Sequence, residues 1–96
     1  PPPARTTQVI EWLGLPDPRR PSLLTLYFSD VDTAGHADGP DAPSVNAALA
    51  RIDAEVGRLV QAADTLGLAS RVHWLIVSDH GMTALSETVE ITNQRG

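Results

Sequence analysis

The chain has 96 residues, 42% of them apolar, which is enough for one small domain and excludes both a multidomain assembly and extensive disorder. Seven arginines, no lysine and twelve acidic residues give a net charge of −5, which argues against non-specific binding to a nucleic-acid backbone or an anionic membrane. With no cysteine there is no disulfide framework and no thiolate, so any metal must be held by histidine and carboxylates; no apolar run approaches the roughly 20 residues that cross a bilayer.

Pro1 to Arg5 reads as an extended lead-in that does not resemble a signal peptide. A short helix follows, capped by Thr6 or Thr7, with Val9, Ile10 and Leu13 on its apolar stripe and a stop at Gly14 and Pro16. Leu15 to Pro21 is a proline-rich linker. Residues 22–29 are almost continuously apolar, the pattern of a strand covered on both faces, and 30–44 reads as a long loop rich in glycine, proline and acids. From Val45 a helix is marked by apolar residues in steps of four and three (Val45, Leu49, Ile52, Val56, Leu59, Ala63, Leu66), with Ser44 as N-cap, Arg51, Glu55 and Arg58 on the exposed face, and Gly67 followed by Leu68 as a left-handed C-cap. Residues 72–78 read as a second buried strand and 89–92 as a shorter third one.

Strand, long helix and strand form a βαβ unit, whose strands should be parallel and whose crossover should be right-handed. The fold class expected is therefore α/β, a mostly parallel sheet flanked by helices on both faces. One helix cannot cover two strands that are buried on both sides, so residues 1–96 are expected to be an excerpt of a larger α/β domain.

Two clusters of ligand-type side chains lie just past the expected strand ends: Asp32-Thr33-Ala34-Gly35-His36 and Ser78-Asp79-His80-Gly81-Met82. Open α/β sheets place ligands at that edge. Each cluster offers one carboxylate and one imidazole, donors that suit zinc and other borderline divalent ions, and a glycine that lets the backbone bend so that both side chains turn inward. Either cluster alone has a plainer reading, because an aspartate after a strand often caps a turn and a histidine beside glycine is often surface or filler. Their combination at one edge is what points to a metal site.

The pattern Tyr27-x-x-x-x-Asp32-x-x-Gly35-His36-x-x-Gly39-Pro40, followed by a helix and then Ser78-Asp79-His80-Gly81-Met82, resembles the nucleotide pyrophosphatase/phosphodiesterase family of the alkaline phosphatase superfamily. Trp12-Leu13-Gly14-Leu15-Pro16 with Arg20-Pro21 resembles the stretch before that family's first metal motif. The resemblance implies an alkaline-phosphatase-like fold and two zinc ions that clamp a phosphodiester while a threonine or serine attacks phosphorus. Asp32 and His36 would ligate one zinc, with a later histidine; Asp79 and His80 would ligate the other, with an earlier aspartate. Tyr27 occupies the position where the family stacks an aromatic ring on the nucleobase.

The nucleophile motif and two of the implied ligands have no counterpart here, so no catalytic nucleophile is assigned within residues 1–96, and the segment alone should be inactive. The implied substrate is a nucleotide or phosphodiester, not a polymeric nucleic acid, and the implied location is periplasmic or extracellular. A phosphomutase or phosphonate hydrolase would share both motifs, and a non-catalytic metal-binding scaffold would keep the ligands without the nucleophile.

Other polar residues carry plainer readings. Asp30 would share a face with Asp32 if the strand persisted, and is read as a hydrogen-bond acceptor at the strand mouth. His73 is a rim residue at the opposite end, and Asp38 and Asp41 form turns. Arg19 and Arg20 lie on the wrong edge for phosphate. Trp12 and Trp74 pack, and Tyr27 without the family pattern would be core.

Overall fold

Residues 1–92 are described by the structure, a computed structural model. Among the described residues three α-helices carry the regular structure: α1 (Pro2–Leu13), α2 (Asp30–Asp38) and α3 (Pro43–Thr65), with a 3₁₀ turn at Asp17–Arg19. The radius of gyration is 19.1 Å and the extents are 67 × 33 × 21 Å. A compact chain of this length would have a radius near 12–13 Å, so the described residues do not close around one centre.

α1 begins earlier than the proline-rich start implies. Its first turn holds Pro2 and Pro3, where the missing N–H groups have no partner to lose, and this overrides the extended reading. The two threonines sit inside the helix and donate backwards, Thr6 Oγ1 to the carbonyl of Pro2 at 3.1 Å and Thr7 Oγ1 to that of Pro3 at 2.9 Å, so neither caps it. The helix does end before Gly14, and the guanidinium of Arg20 donates to the Leu13 carbonyl at 2.9 Å.

α3 packs on α1 through Val9, Leu13, Leu59 and Leu68, with Ile10, Leu24, Leu26 and Val72 against that cluster. Its inward line includes Val45, Ala48, Glu55, Leu59 and Ala63, rotated from the stripe read off the sequence, and Leu49 and Leu66 remain about half exposed. Glu55, expected outside, is buried because it has a partner: Arg58 donates to its carboxylate at 2.7 Å. Arg58 also reaches Thr7 Oγ1 at 3.1 Å, which makes this ion pair part of the α1–α3 joint.

The C-terminus of α3 is the left-handed cap that the sequence announces. Gly67 has φ +71°, its N–H donates to Asp64 at 3.0 Å, and the Leu68 N–H donates to Ala63 at 2.8 Å while the Leu68 side chain enters the core. These are the two bonds of a Schellman motif. At the other end Pro43 takes the first turn and Ala42 the cap position; Ser44 instead donates to the Asp38 carboxylate at 2.6 Å, tying α2 to α3.

The expected sheet is absent from the described residues. Residues 22–29, 72–78 and 89–92 carry no strand pairing, so the α/β assignment with a parallel sheet is overturned in favour of a helical arrangement. A strand is defined by the neighbour that satisfies its backbone groups, and an apolar run cannot supply that neighbour itself. Leu24, Leu26 and Val72 lie against the helical core, while Leu75, Ile76 and Val77 keep 74–87% of their surface exposed. Among the described residues, no helix is long and apolar enough to cross a membrane.

Candidate metal centre

The loop expected at 30–44 is in large part a helix, and that changes how the first pair of ligands is presented. Asp30 and Asp32 occupy the first turn of α2 and His36 its last, each suited to the sign of the helix dipole at its end. Gly39, with φ +94° and ψ 154°, then ends the helix in a conformation that favours glycine. Four residues apart on a helix, Asp32 and His36 share a face, and His36 Nε2 lies 3.3 Å from Asp32 Oδ1. Asp30, two positions away, points to a different side, which separates it from the pair.

Asp79 and His80 arrive from the far side of α3. Their turn is held locally: Ser78 Oγ donates to the His80 carbonyl, and the His80 backbone N–H donates to Asp79 Oδ1 at 3.0 Å. His80 Nδ1 is 2.8 Å from the Gly81 carbonyl, a bond that makes Nδ1 the protonated nitrogen and leaves Nε2 to act as a ligand. That Nε2 lies 3.6 Å from Asp32 Oδ1 and 3.7 Å from Asp79 Oδ1. The imidazoles of His36 and His80 therefore both approach Asp32 Oδ1, and Asp79 stands beside His80. The bond to Gly81 and the charges of Asp79 and Asp32 raise the imidazole pKa of His80.

Asp32 Oδ1 is itself buried and has no hydrogen-bond partner, although the Asp32 side chain as a whole is 35% exposed. A buried carboxylate oxygen facing two imidazole nitrogens fits a cation better than it fits solvent. Bonds of about 2.05 Å from a tetrahedral zinc would put neighbouring donors about 3.3 Å apart, the separation observed between Asp32 and His36. Among the described residues no group of three or more His, Cys, Asp or Glu side chains is arranged to hold a metal ion. The donor types suit zinc and the Asp32–His36 pair suits it in spacing, but further ligands are needed to make a site.

Gly35 has a different role from the one expected. It sits inside α2, not at a bend, and is buried against Met82: a Cβ built there would lie 2.6 Å from Met82 Sδ and 3.1 Å from its Cε. Met82 stands within the second motif, where residue type alone assigns it no task. A glycine in the interior of a helix can signal such a close approach, but residues 30–44 read as a loop and hid it.

The remaining residues depart in part from the sequence reading, Asp38 among them, since it lies in α2 and not in a loop turn. Tyr27 is 57% exposed, not core; its carbonyl accepts from Arg5 at 2.7 Å. Asp38 is held by Ser44, Arg20 is engaged with Asp17 and Leu13, and His73 is exposed. Trp12 and Trp74 stay about 40% exposed, so their packing is partial.

A profile described as type I phosphodiesterase/nucleotide pyrophosphatase matches residues 3–94. An uncharacterised pyrophosphatase/phosphodiesterase of Schizosaccharomyces pombe is 39% identical over 80 residues, covering 83% of this chain and 16% of that protein. Venom phosphodiesterase 2 of Crotalus adamanteus is 39% identical over 83 residues, 86% of this chain and 10% of the relative. Ectonucleotide pyrophosphatase/phosphodiesterase family member 1 of Mus musculus is 41% identical over 78 residues, 81% and 9% respectively. The chain thus spans about a sixth or less of the length of these relatives. No solved structure matches it.

Proposed function

The chain belongs to the type I phosphodiesterase/nucleotide pyrophosphatase family, and from that premise we propose that the protein hydrolyses nucleotide phosphodiester or pyrophosphate bonds at a two-zinc centre, releasing a nucleoside monophosphate. Asp32 and His36 contribute to one ion, and Asp79 and His80 to the other. The observation that carries this reading is the buried, unpartnered Asp32 Oδ1 between the imidazoles of His36 and His80. It says why Asp32, His36 and His80, from two distant segments, would be held together, since uncompensated burial of such an oxygen costs free energy that a bound cation recovers.

The residues of this chain divide the work. α2 fixes Asp32 and His36 on one face, and the Gly81 carbonyl orients the His80 ring so that Nε2 is available. The exposed ring of Tyr27 offers a stacking surface for a nucleobase. Zinc, once bound, would lower the pKa of the attacking oxygen and neutralise charge building on phosphorus. The threonine or serine nucleophile and the ligands that complete each ion would come from parts of the protein outside residues 1–96, which form an interior part of its catalytic domain. Relatives named for venom and as ectonucleotide enzymes support an extracellular or periplasmic location.

The direct test uses full-length protein and a nitrophenyl ester of a nucleoside monophosphate. Release of nitrophenol should stop after chelation and return with zinc. Turnover that survives thorough removal of zinc, or none in zinc-loaded protein, would overturn the proposal.

A further inference from the structure

We propose that Met82 is a positioning residue for the metal centre: its thioether, seated in the space left by Gly35, fixes the turn that carries Asp79 and His80 against the helix that carries Asp32 and His36. This rests on the two-zinc reading and adds to it a device for bringing the two pairs into register. The contact is close, with the space for a Cβ at Gly35 only 2.6 Å from Sδ. It is also isolated. Val77 before the turn is 76% exposed and Leu85 after it 83% exposed, so the flanking chain contributes little packing that could hold the turn in place. Methionine suits the task because an unbranched, polarisable side chain adapts to a shallow seat on a helix.

The seat separates a positioning role from a merely structural one. Alanine is the better helix former, so Gly35→Ala should leave α2 as stable or more stable. The added methyl would displace the flexible end of Met82 and leave the backbone of α2 where it is, and the turn would lose its anchor. Stability and metal binding should therefore move in different directions, which simple damage to the fold would not produce.

The experiment is a double-mutant cycle on the full-length protein, with Gly35→Ala, Met82→Ala and the combination, and Met82→Leu as the conservative variant. Two quantities are read: the zinc dissociation constant, by competition with a chromophoric chelator, and the melting temperature of the chelator-treated protein. Each single alanine variant should weaken zinc binding by about 10- to 100-fold, the usual cost of losing a residue that orients a ligand. The combination should be no worse than Met82→Ala, because the new methyl at position 35 then meets vacated space. Met82→Leu should stay within about threefold of the parent, as volume-conserving swaps do. Unchanged zinc binding in both single variants, or losses that add in the combination, would overturn the proposal. Parent protein that bound no zinc would overturn the two-zinc reading and with it any role of Met82 at a metal. The melting temperatures distinguish that failure from a failed seat, since Gly35 and Met82 remain coupled without metal only if the contact exists.

Discussion

The Nε2 of His80 lies 3.6 Å from the Oδ1 of Asp32, although the whole of α3 separates the two residues in sequence. One histidine and one aspartate from each of two segments thus share a small space, and the central oxygen is the one without a hydrogen-bond partner. Most of what can be tested about the protein follows from that arrangement.

Asp32→Asn keeps the shape of the side chain and removes its charge. In full-length protein it should lower turnover of a nucleotide ester by more than about 100-fold, because a cation held mainly by that charge contributes several kcal/mol to the transition state. The folded protein should survive the change, as the melting temperature would show. A scaffold role predicts the reverse, altered stability with no activity to lose.

The 96 residues expressed alone should show no zinc-dependent turnover of the same ester. They supply two side chains toward each ion, fewer than a catalytic zinc site requires. Zinc-dependent activity in the isolated chain would contradict the division of ligands between this segment and the rest of the protein.

How much of this was legible in the sequence differs by element. α3 was readable because its apolar residues recur in steps of four and three, and because Gly67 and Leu68 spell a cap whose bonds are all local. α2 was hidden. Its composition, with three aspartates and a glycine, reads as loop, and its helical state depends on charges matched to its ends and on neighbours such as Ser44 and Met82. Residues 72–78 failed for the opposite reason: the apolar run is real, but strand formation needs a pairing partner that no local pattern contains. The metal-type residues were visible as two short motifs, because donor chemistry is written in residue identity. Met82 was not, because its task lies in a space left by a glycine that is distant in sequence.

Leu59 is the clearest test of the helical core. It is 5% exposed between α1 and α3, beside Val9, Leu13 and Leu68. Leu59→Ala should cost about 2–3 kcal/mol of stability, the lower part of the range for a buried leucine, since a small core can partly collapse into the gap. A shift in the urea midpoint without a change in slope is the expected observation.

Asp17 provides a pH test away from the metal centre. Hydrogen bonds from Arg20 and then Arg71 hold its carboxyl below the usual carboxylate range, so the folded state favours the charged form. A folded pKa below the unfolded one stabilises the protein above the unfolded value of 3.8, and the benefit fades as pH falls through the folded value. Asp17→Asn should therefore be slightly less stable than the parent at about pH 6, with the gap closing as pH falls through the folded value, a small difference because the group is exposed to solvent screening. A gap that persisted below that value would assign the effect to something other than charge.

The most direct measurement is an anomalous diffraction map of full-length protein crystallised with zinc, collected on both sides of the zinc absorption edge. Two peaks are expected, one beside Asp32 and His36 and the other beside Asp79 and His80, with Asp32 Oδ1 at ligand distance from a metal. Peaks located elsewhere, or zinc-loaded crystals with no peak beside these four residues, would contradict the assignment of this site as the metal centre.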